Sequence, residues 1–117
     1  MKIAIVGAGI VGSTAAYYLS KEKDVEVTVF DHGPGQATKA AAGIISPWFS
    51  KRRNKAWYRM ARLGADFYQE LTSNLENDGY DTSFYDQSGV VLLKKDDGKL
   101  DGLYQYAETR LEESPII

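Results

Sequence analysis

The 117 residues are enough for one domain, and 44% hydrophobic and 26% charged side chains with a formal net charge of −2 describe an ordinary globular chain, which argues against disorder and against a nucleic-acid binder. With no cysteine, disulfides, thiolate metal sites and cysteine nucleophiles are excluded, and with His32 as the one histidine so is a multi-histidine metal site; a serine hydrolase would have to use His32, and no Gly-x-Ser-x-Gly accompanies it. No stretch approaches the roughly 18 apolar residues that span a bilayer, and the glycines that interrupt the apolar start argue against a signal peptide, so the expected location is cytoplasmic with no membrane span.

The chain opens on Ile3-Ala4-Ile5-Val6, continues through Gly7-Ala8-Gly9-Ile10-Val11-Gly12 and runs on into Ser13-Thr14-Ala15-Ala16-Tyr17-Tyr18-Leu19. This reads as strand, tight turn and helix, the helix spanning about Ile10 to Ser20 with Val11, Ala15, Tyr18 and Leu19 at core-facing spacing. Each glycine has a separate job if the turn carries a nucleotide. Gly7 lets the chain leave the strand in a turn a β-carbon would block, Gly9 lets the backbone reach contact distance of a pyrophosphate, and Gly12 lets the helix pack close to the strand. The phosphates would sit on the N–H groups at the helix N-terminus, where the macrodipole favours negative charge.

A Gly-x-Gly-x-x-Gly alone is a weak signal, but here its context is present. Val25 to Phe30 forms a second strand that ends in Asp31, nineteen positions after Gly12. An acid at about that distance accepts hydrogen bonds from ribose hydroxyls and repels a 2′-phosphate. The bland alternative, a glycine-rich turn that binds nothing, is disfavoured by motif, flanks and acid occurring together.

From His32 to Pro47 the chain turns at Gly33-Pro34-Gly35 and becomes small, weakly polar and acid-free. Small side chains would let the N–H groups of Thr38 to Gly43 approach a ligand, and Lys39 would add positive charge; the alternative is a short Ala-rich helical turn that only packs. Between Ser50 and Arg62, basic residues alternate with Trp57 and Tyr58, a pattern read as a solvated helix start rather than a nucleic-acid surface. Residues 55–78 form one long amphipathic helix with Trp57, Met60, Ala61, Gly64, Phe67, Tyr68, Leu71 and Leu75 on its apolar face, Asn54 as N-cap and Asn77-Asp78-Gly79 as stop. Phe84-Tyr85 and Val90 to Leu93 flank Asp86-Gln87-Ser88-Gly89 as a β-hairpin. A last helix places Leu100, Leu103, Tyr104, Ala107 and Leu111 on its apolar face and is ended by Pro115. Residues 1–65 carry ten Lys and Arg against four acids, and residues 66–117 four against twelve, which gives +6 and −8.

Two strands are too few for a dinucleotide-binding sheet, which predicts that the chain is the front part of a longer protein. Gly7 to Leu19, Asp31, and Ala37-Thr38-Lys39-Ala40-Ala41-Ala42-Gly43-Ile44-Ile45 together resemble the FAD-dependent D-amino-acid oxidase superfamily, with a pattern most similar to its glycine oxidases and D-amino-acid dehydrogenase small subunits. The Ala-Ala-Gly loop separates this resemblance from the alternative, an NAD-dependent dehydrogenase domain. A third alternative is a non-catalytic fragment that self-associates through uncovered edges and faces.

The resemblance implies an α/β chain: residues 1–48 as a Rossmann-like βαβ unit of an FAD-binding domain, and residues 49–117 as the start of an α+β substrate domain. It implies Ile10 and Val11 as backbone contacts to the pyrophosphate, between Gly7, Gly9 and Gly12, and Asp31 as the ribose acceptor. It places His32 beside the adenosine half, Thr38 near the phosphates, and Ala42, Gly43 and Ile44 beside the flavin, with Lys39 departing from the small residue often found there. The implied reaction is oxidation of the C–N bond of an amino acid or related amine by hydride transfer to flavin N5. No residue of this chain is assigned as catalytic or as a metal ligand, because the family's substrate-gripping side chains lie in its later domain.

Overall fold

Alternation of side chains along Lys2–Val6 (β1) turns Ile3 and Ile5 inward and leaves Lys2, Ala4 and Val6 exposed. In the computed structural model, which describes residues 1–34 and 37–112, β1 pairs in parallel with Glu26–Phe30 (β2), Ile3 opposite Val27 and Ile5 opposite Val29. A parallel pair needs a crossover, and the helix Ile10–Ser20 (α1) supplies it, packing on both strands. Gly33 continues into the turn after β2 at φ 87°, whereas Gly35 lies outside the described residues.

The α1 contact stripe differs from the expected one. Gly12, Ala16 and Leu19 are half-buried against the sheet, while Val11 is 81% exposed and Ala15 is also exposed. With only two strands beneath it, the helix covers a narrow strip, and Val11 and Ala15 fall on its flank. Tyr18 and Leu19 do face inward.

The chain divides into two compact units, Met1–Ile44 and Ile45–Ile117. The second contains a 3₁₀ turn at Pro47–Phe49, the long helix Lys55–Asn77 (α3) and the helix Asp97–Glu112 (α4). Asn54 caps α3 as expected, its Oδ1 accepting from the Trp57 N–H at 3.0 Å. At the other end Gly79, at φ 82°, closes a Schellman motif in which Gly79 N–H donates to Glu76 O and Tyr80 N–H to Leu75 O.

No strand forms within residues 84–93, so the predicted hairpin is replaced by irregular chain. Tyr85 stacks on Tyr68 of α3, with ring centroids 5.2 Å apart, but Val91 and Leu93 are 86% and 87% exposed. A two-stranded hairpin is marginal without a surface to cover its apolar side, and none among the described residues covers Val91 and Leu93.

The buried residues of α4 are Leu103, Ala107 and Arg110, while Tyr104 and Leu111, expected on its apolar face, are exposed. The helix α4 starts at Asp97, and Pro115 lies outside the described residues. On α3 the buried set is Arg62, Ala65, Leu71 and Thr72, with Met60 77% exposed.

Two arginines therefore take core positions. Arg62 Nε donates to both carboxylate oxygens of Asp66 at 2.9 and 3.0 Å, and its Nη1 donates to the Arg110 carbonyl. Burial disfavours the Arg62 charge, but the bonds and charges of Asp66, together with Tyr58, outweigh this and raise its pKa above the ordinary value. Arg110 Nη1 donates to the carbonyls of Ser50 at 2.7 Å, Trp48 at 3.0 Å and Pro47 at 3.4 Å. Its guanidinium also lies 3.9 Å from the Tyr58 ring centroid and 4.0 Å from that of Tyr106.

Candidate functional site

The C-terminal ends of the two strands meet at the glycine turn. Gly7 N–H donates to Phe30 O at 2.7 Å, and Ala8 N–H donates to Asp31 Oδ2 at 2.7 Å, so the Asp31 side chain extends the strand ladder by one rung. Asp31 Oδ1 accepts from Gly33 N–H at 2.8 Å, and Ser13 Oγ donates to Ala8 O at 3.0 Å. These bonds hold the turn from both sides.

Three glycines act for three different reasons. Gly7 sits at φ 100° with open space where a side chain would go, so backbone conformation alone requires glycine there. A β-carbon on Gly12 would lie 1.8 Å from Gly7 O and 3.3 Å from Ile5 Cγ2, so here packing of helix on strand is the reason. Gly9 has ordinary extended backbone (φ −71°, ψ −176°), and a β-carbon there would meet Thr38 Oγ1 at 3.2 Å.

Thr38 comes from Ala37–Ala40 (α2), a single helical turn, and its Oγ1 accepts from Ile10 N–H at 3.0 Å. The first N–H groups of a helix have no partner within the helix, and Thr38 takes one of them while keeping its own proton to donate. The turn 37–40 thus has the compact form weighed above as the packing alternative, yet it brings a hydroxyl to the start of α1.

A cleft of about 700 Å³ opens at this place, within the range of small-molecule sites. Gly7, Gly9, Asp31, His32, Thr38 and Lys39 line it, with Phe30 and Pro34 among the apolar neighbours. Ile10, Val11 and Gly12 begin α1 next to the turn without lining the cleft, and Ala42, Gly43 and Ile44 follow α2 as exposed irregular chain outside its lining. Gly43 has φ 71°, a left-handed conformation that suits glycine. The residues not anticipated from sequence are Ala8 and Ser13. The backbone bond of Ala8 leaves no residue signal, whereas a hydroxyl just after the third glycine is a weak one.

The set suits a phosphate-bearing ligand: Thr38 and Lys39 line the cleft beside the N-terminus of α1, and Asp31 lines it with them. Each carboxylate oxygen has two lone pairs, so Asp31 can accept from a ligand hydroxyl while holding the turn. Among the described residues no three His, Asp or Glu side chains are grouped to hold a metal ion, and no helix is long and apolar enough to cross a membrane.

Fold and site together define a mixed α/β chain in which a parallel βαβ unit presents a glycine turn, a helix N-terminus and a carboxylate to one cleft. The chain belongs to the family described as FAD dependent oxidoreductase, whose pattern it matches over residues 2–116, and the cofactor of that family is FAD. It is 46% identical over 114 residues to the uncharacterized oxidoreductase YurR of Bacillus subtilis (strain 168), an alignment that covers 97% of this chain and 30% of that protein. It is 47% identical over 53 residues to a D-amino acid dehydrogenase of Rhodopseudomonas palustris (strain HaA2), covering 43% of this chain and 12% of that protein. The chain thus spans less than a third of the length of these relatives. No solved structure matches it significantly.

Proposed function

We propose that this chain is the N-terminal, FAD-binding part of an oxidoreductase that oxidises the C–N bond of an amino acid or related amine. One observation carries the reading: hydrogen bonds from Ala8 to Asp31 and from Ile10 to Thr38 draw three separate segments, with residues 6–9, 29–32 and 37–39, around a single cleft. An amino-acid substrate is supported by the similarity to a D-amino acid dehydrogenase over part of the chain.

In this reading the βαβ unit is Rossmann-like and residues 1–48 belong to the FAD-binding domain, with residues 49–117 starting the substrate domain. Asp31 accepts from the ribose hydroxyls and His32 flanks the adenosine half. The Val11 N–H donates to the pyrophosphate and the Ile10 backbone meets it through the Thr38 hydroxyl that accepts from its N–H, Gly9 allows the approach, and Lys39 adds a positive charge. Ala42, Gly43 and Ile44 pass beside the flavin. Bound FAD supplies the acceptor for a hydride from the substrate α-carbon. The residues of this chain bind and orient the cofactor; those that grip the substrate lie in the rest of the protein.

The direct test is the absorption spectrum of the purified full-length protein after gel filtration with FAD. Oxidised-flavin bands co-eluting with protein are expected for the wild type, and Asp31→Ala is expected to lose most of them. A colourless wild-type peak sinks the reading.

A further inference from the structure

The lysines of the first unit are Lys2, Lys21, Lys23 and Lys39, and it holds no arginine. Chain direction sorts them. β1 and β2 run parallel from Lys2 opposite Glu26 to Val6 opposite Phe30, and α1 runs back from Ile10 to Ser20. Lys2, Lys21 and Lys23 therefore lie where the strands start. There Lys2 pairs with Glu26 at 3.3 Å, and Lys21 Nζ donates to the Tyr17 hydroxyl at 2.7 Å. Of the four, Lys39 alone lies at the other end, in the lining of the cleft.

The acids of the unit divide in the same way. Glu22, Asp24 and Glu26 fall at the start of β2, and Asp31 falls at its end, in the cleft lining. The Asp31 carboxylate cannot give way to an apolar group without releasing the turn, because its two oxygens accept from Ala8 N–H and Gly33 N–H. It puts a fixed negative charge beside a ligand whose phosphates are ionised, and like charges in one cleft oppose binding. The dipole of α1 offsets part of this, but the Ile10 N–H is already given to Thr38. Lys39 is the group that can balance the rest. It is exposed, and among the described residues no carboxylate pairs with it. Its ammonium is a point charge on a flexible stem, able to follow a phosphate without a fixed approach direction.

We propose that Lys39 is a specificity-determining residue of the cleft: its ammonium offsets the Asp31 carboxylate and makes an adenosine diphosphate group, rather than adenosine, the preferred ligand. The inference rests on the FAD reading given above. It places the charge-dependent part of cofactor selection in one exposed side chain, where dissolved salt screens it.

The test uses the full-length protein freed of flavin and its variants Lys39→Gln, Lys39→Arg and Lys39→Glu. Dissociation constants for FAD, ADP and adenosine are measured by calorimetry at low salt and again at about 1 M, where the Debye length is near 3 Å. At low salt Lys39→Gln should weaken ADP and FAD about fivefold, the upper end for an exposed ion pair, and leave adenosine nearly unchanged. Lys39→Arg should stay close to wild type, and Lys39→Glu should lose more than Lys39→Gln. At high salt the difference between wild type and Lys39→Gln should largely close. Unchanged ADP affinity in Lys39→Gln would overturn the proposal. So would an equal loss for adenosine, which marks a structural effect, or a loss undiminished by salt, which marks one without charge. FAD binding by the wild type without ADP binding would overturn it too, by placing the affinity in the flavin half. A wild-type protein that binds neither FAD nor ADP would overturn the reading beneath it, a separate result visible before any variant is made.

Discussion

Gly12 sets the distance between helix and strand in the first unit. With the position of its absent β-carbon 1.8 Å from the Gly7 carbonyl oxygen, a side chain can enter only if α1 moves off the sheet or the turn rearranges. Backbone is on the other side of the contact, so relaxation is expensive. Gly12→Ala is expected to destabilise by about 3 kcal/mol, the upper part of the usual range for overpacking. Gly9→Ala should be far milder for folding, because its nearest neighbour at 3.2 Å is the Thr38 hydroxyl, a side-chain atom that can rotate away. The two variants separate the roles: thermal unfolding should drop sharply for Gly12→Ala and little for Gly9→Ala, while FAD affinity falls in both. Equal stability losses would contradict the assignment. Asp31 works on both levels as well, since the carboxylate proposed for the ribose already ties β2 to the turn through Ala8 and Gly33.

At the scale of elements, α3 shows how far local chemistry determines a boundary. Its Asn54 cap accepts from Trp57 N–H, and no acidic residue occupies the first turn to supplement it. Asn54→Ala should therefore cost about 1 kcal/mol, read as a lower urea midpoint at unchanged slope, and Asn54→Asp should retain or add stability through the helix dipole. The limits of α1, the cap at Asn54 and the stop at Asn77-Asp78-Gly79 were all legible in the sequence, because caps and C-terminal glycines act on their own few neighbours. The hairpin was not, because an apolar run such as Val90 to Leu93 becomes a strand only against a surface that neighbouring residues cannot provide. The α4 face was misread for a related reason. Leu103, Ala107 and Arg110 keep helical spacing, but a charged residue scores as solvated until the carbonyls of a turn some 60 positions earlier in the chain are known to meet it. The glycine turn was legible as a motif, yet its closure by Asp31 depends on strand register across 23 positions and is visible only in three dimensions.

For the molecule as a whole, two features compete to govern its behaviour when this chain is made alone. Val6 and Val11 in the first unit and Val91 and Leu93 in the second each expose more than four-fifths of their surface, and β1 and β2 form a sheet of only two strands. Uncovered apolar side chains and sheet edges drive association. The sequence is also polarised, +6 over residues 1–65 and −8 over residues 66–117, an arrangement through which copies could attract one another head to tail. We propose that the 117-residue chain self-associates and that the apolar surfaces dominate. Light scattering coupled to gel filtration should show a mass above that of a monomer that grows with loading concentration. Salt then discriminates between the forces, since at about 1 M the Debye length is near 3 Å and attraction between exposed charges is largely lost. Apolar association should persist or strengthen there, and charge pairing should dissolve to monomer. A monomer at every concentration and low salt would overturn self-association itself, and dissociation by salt would assign it to the charge asymmetry.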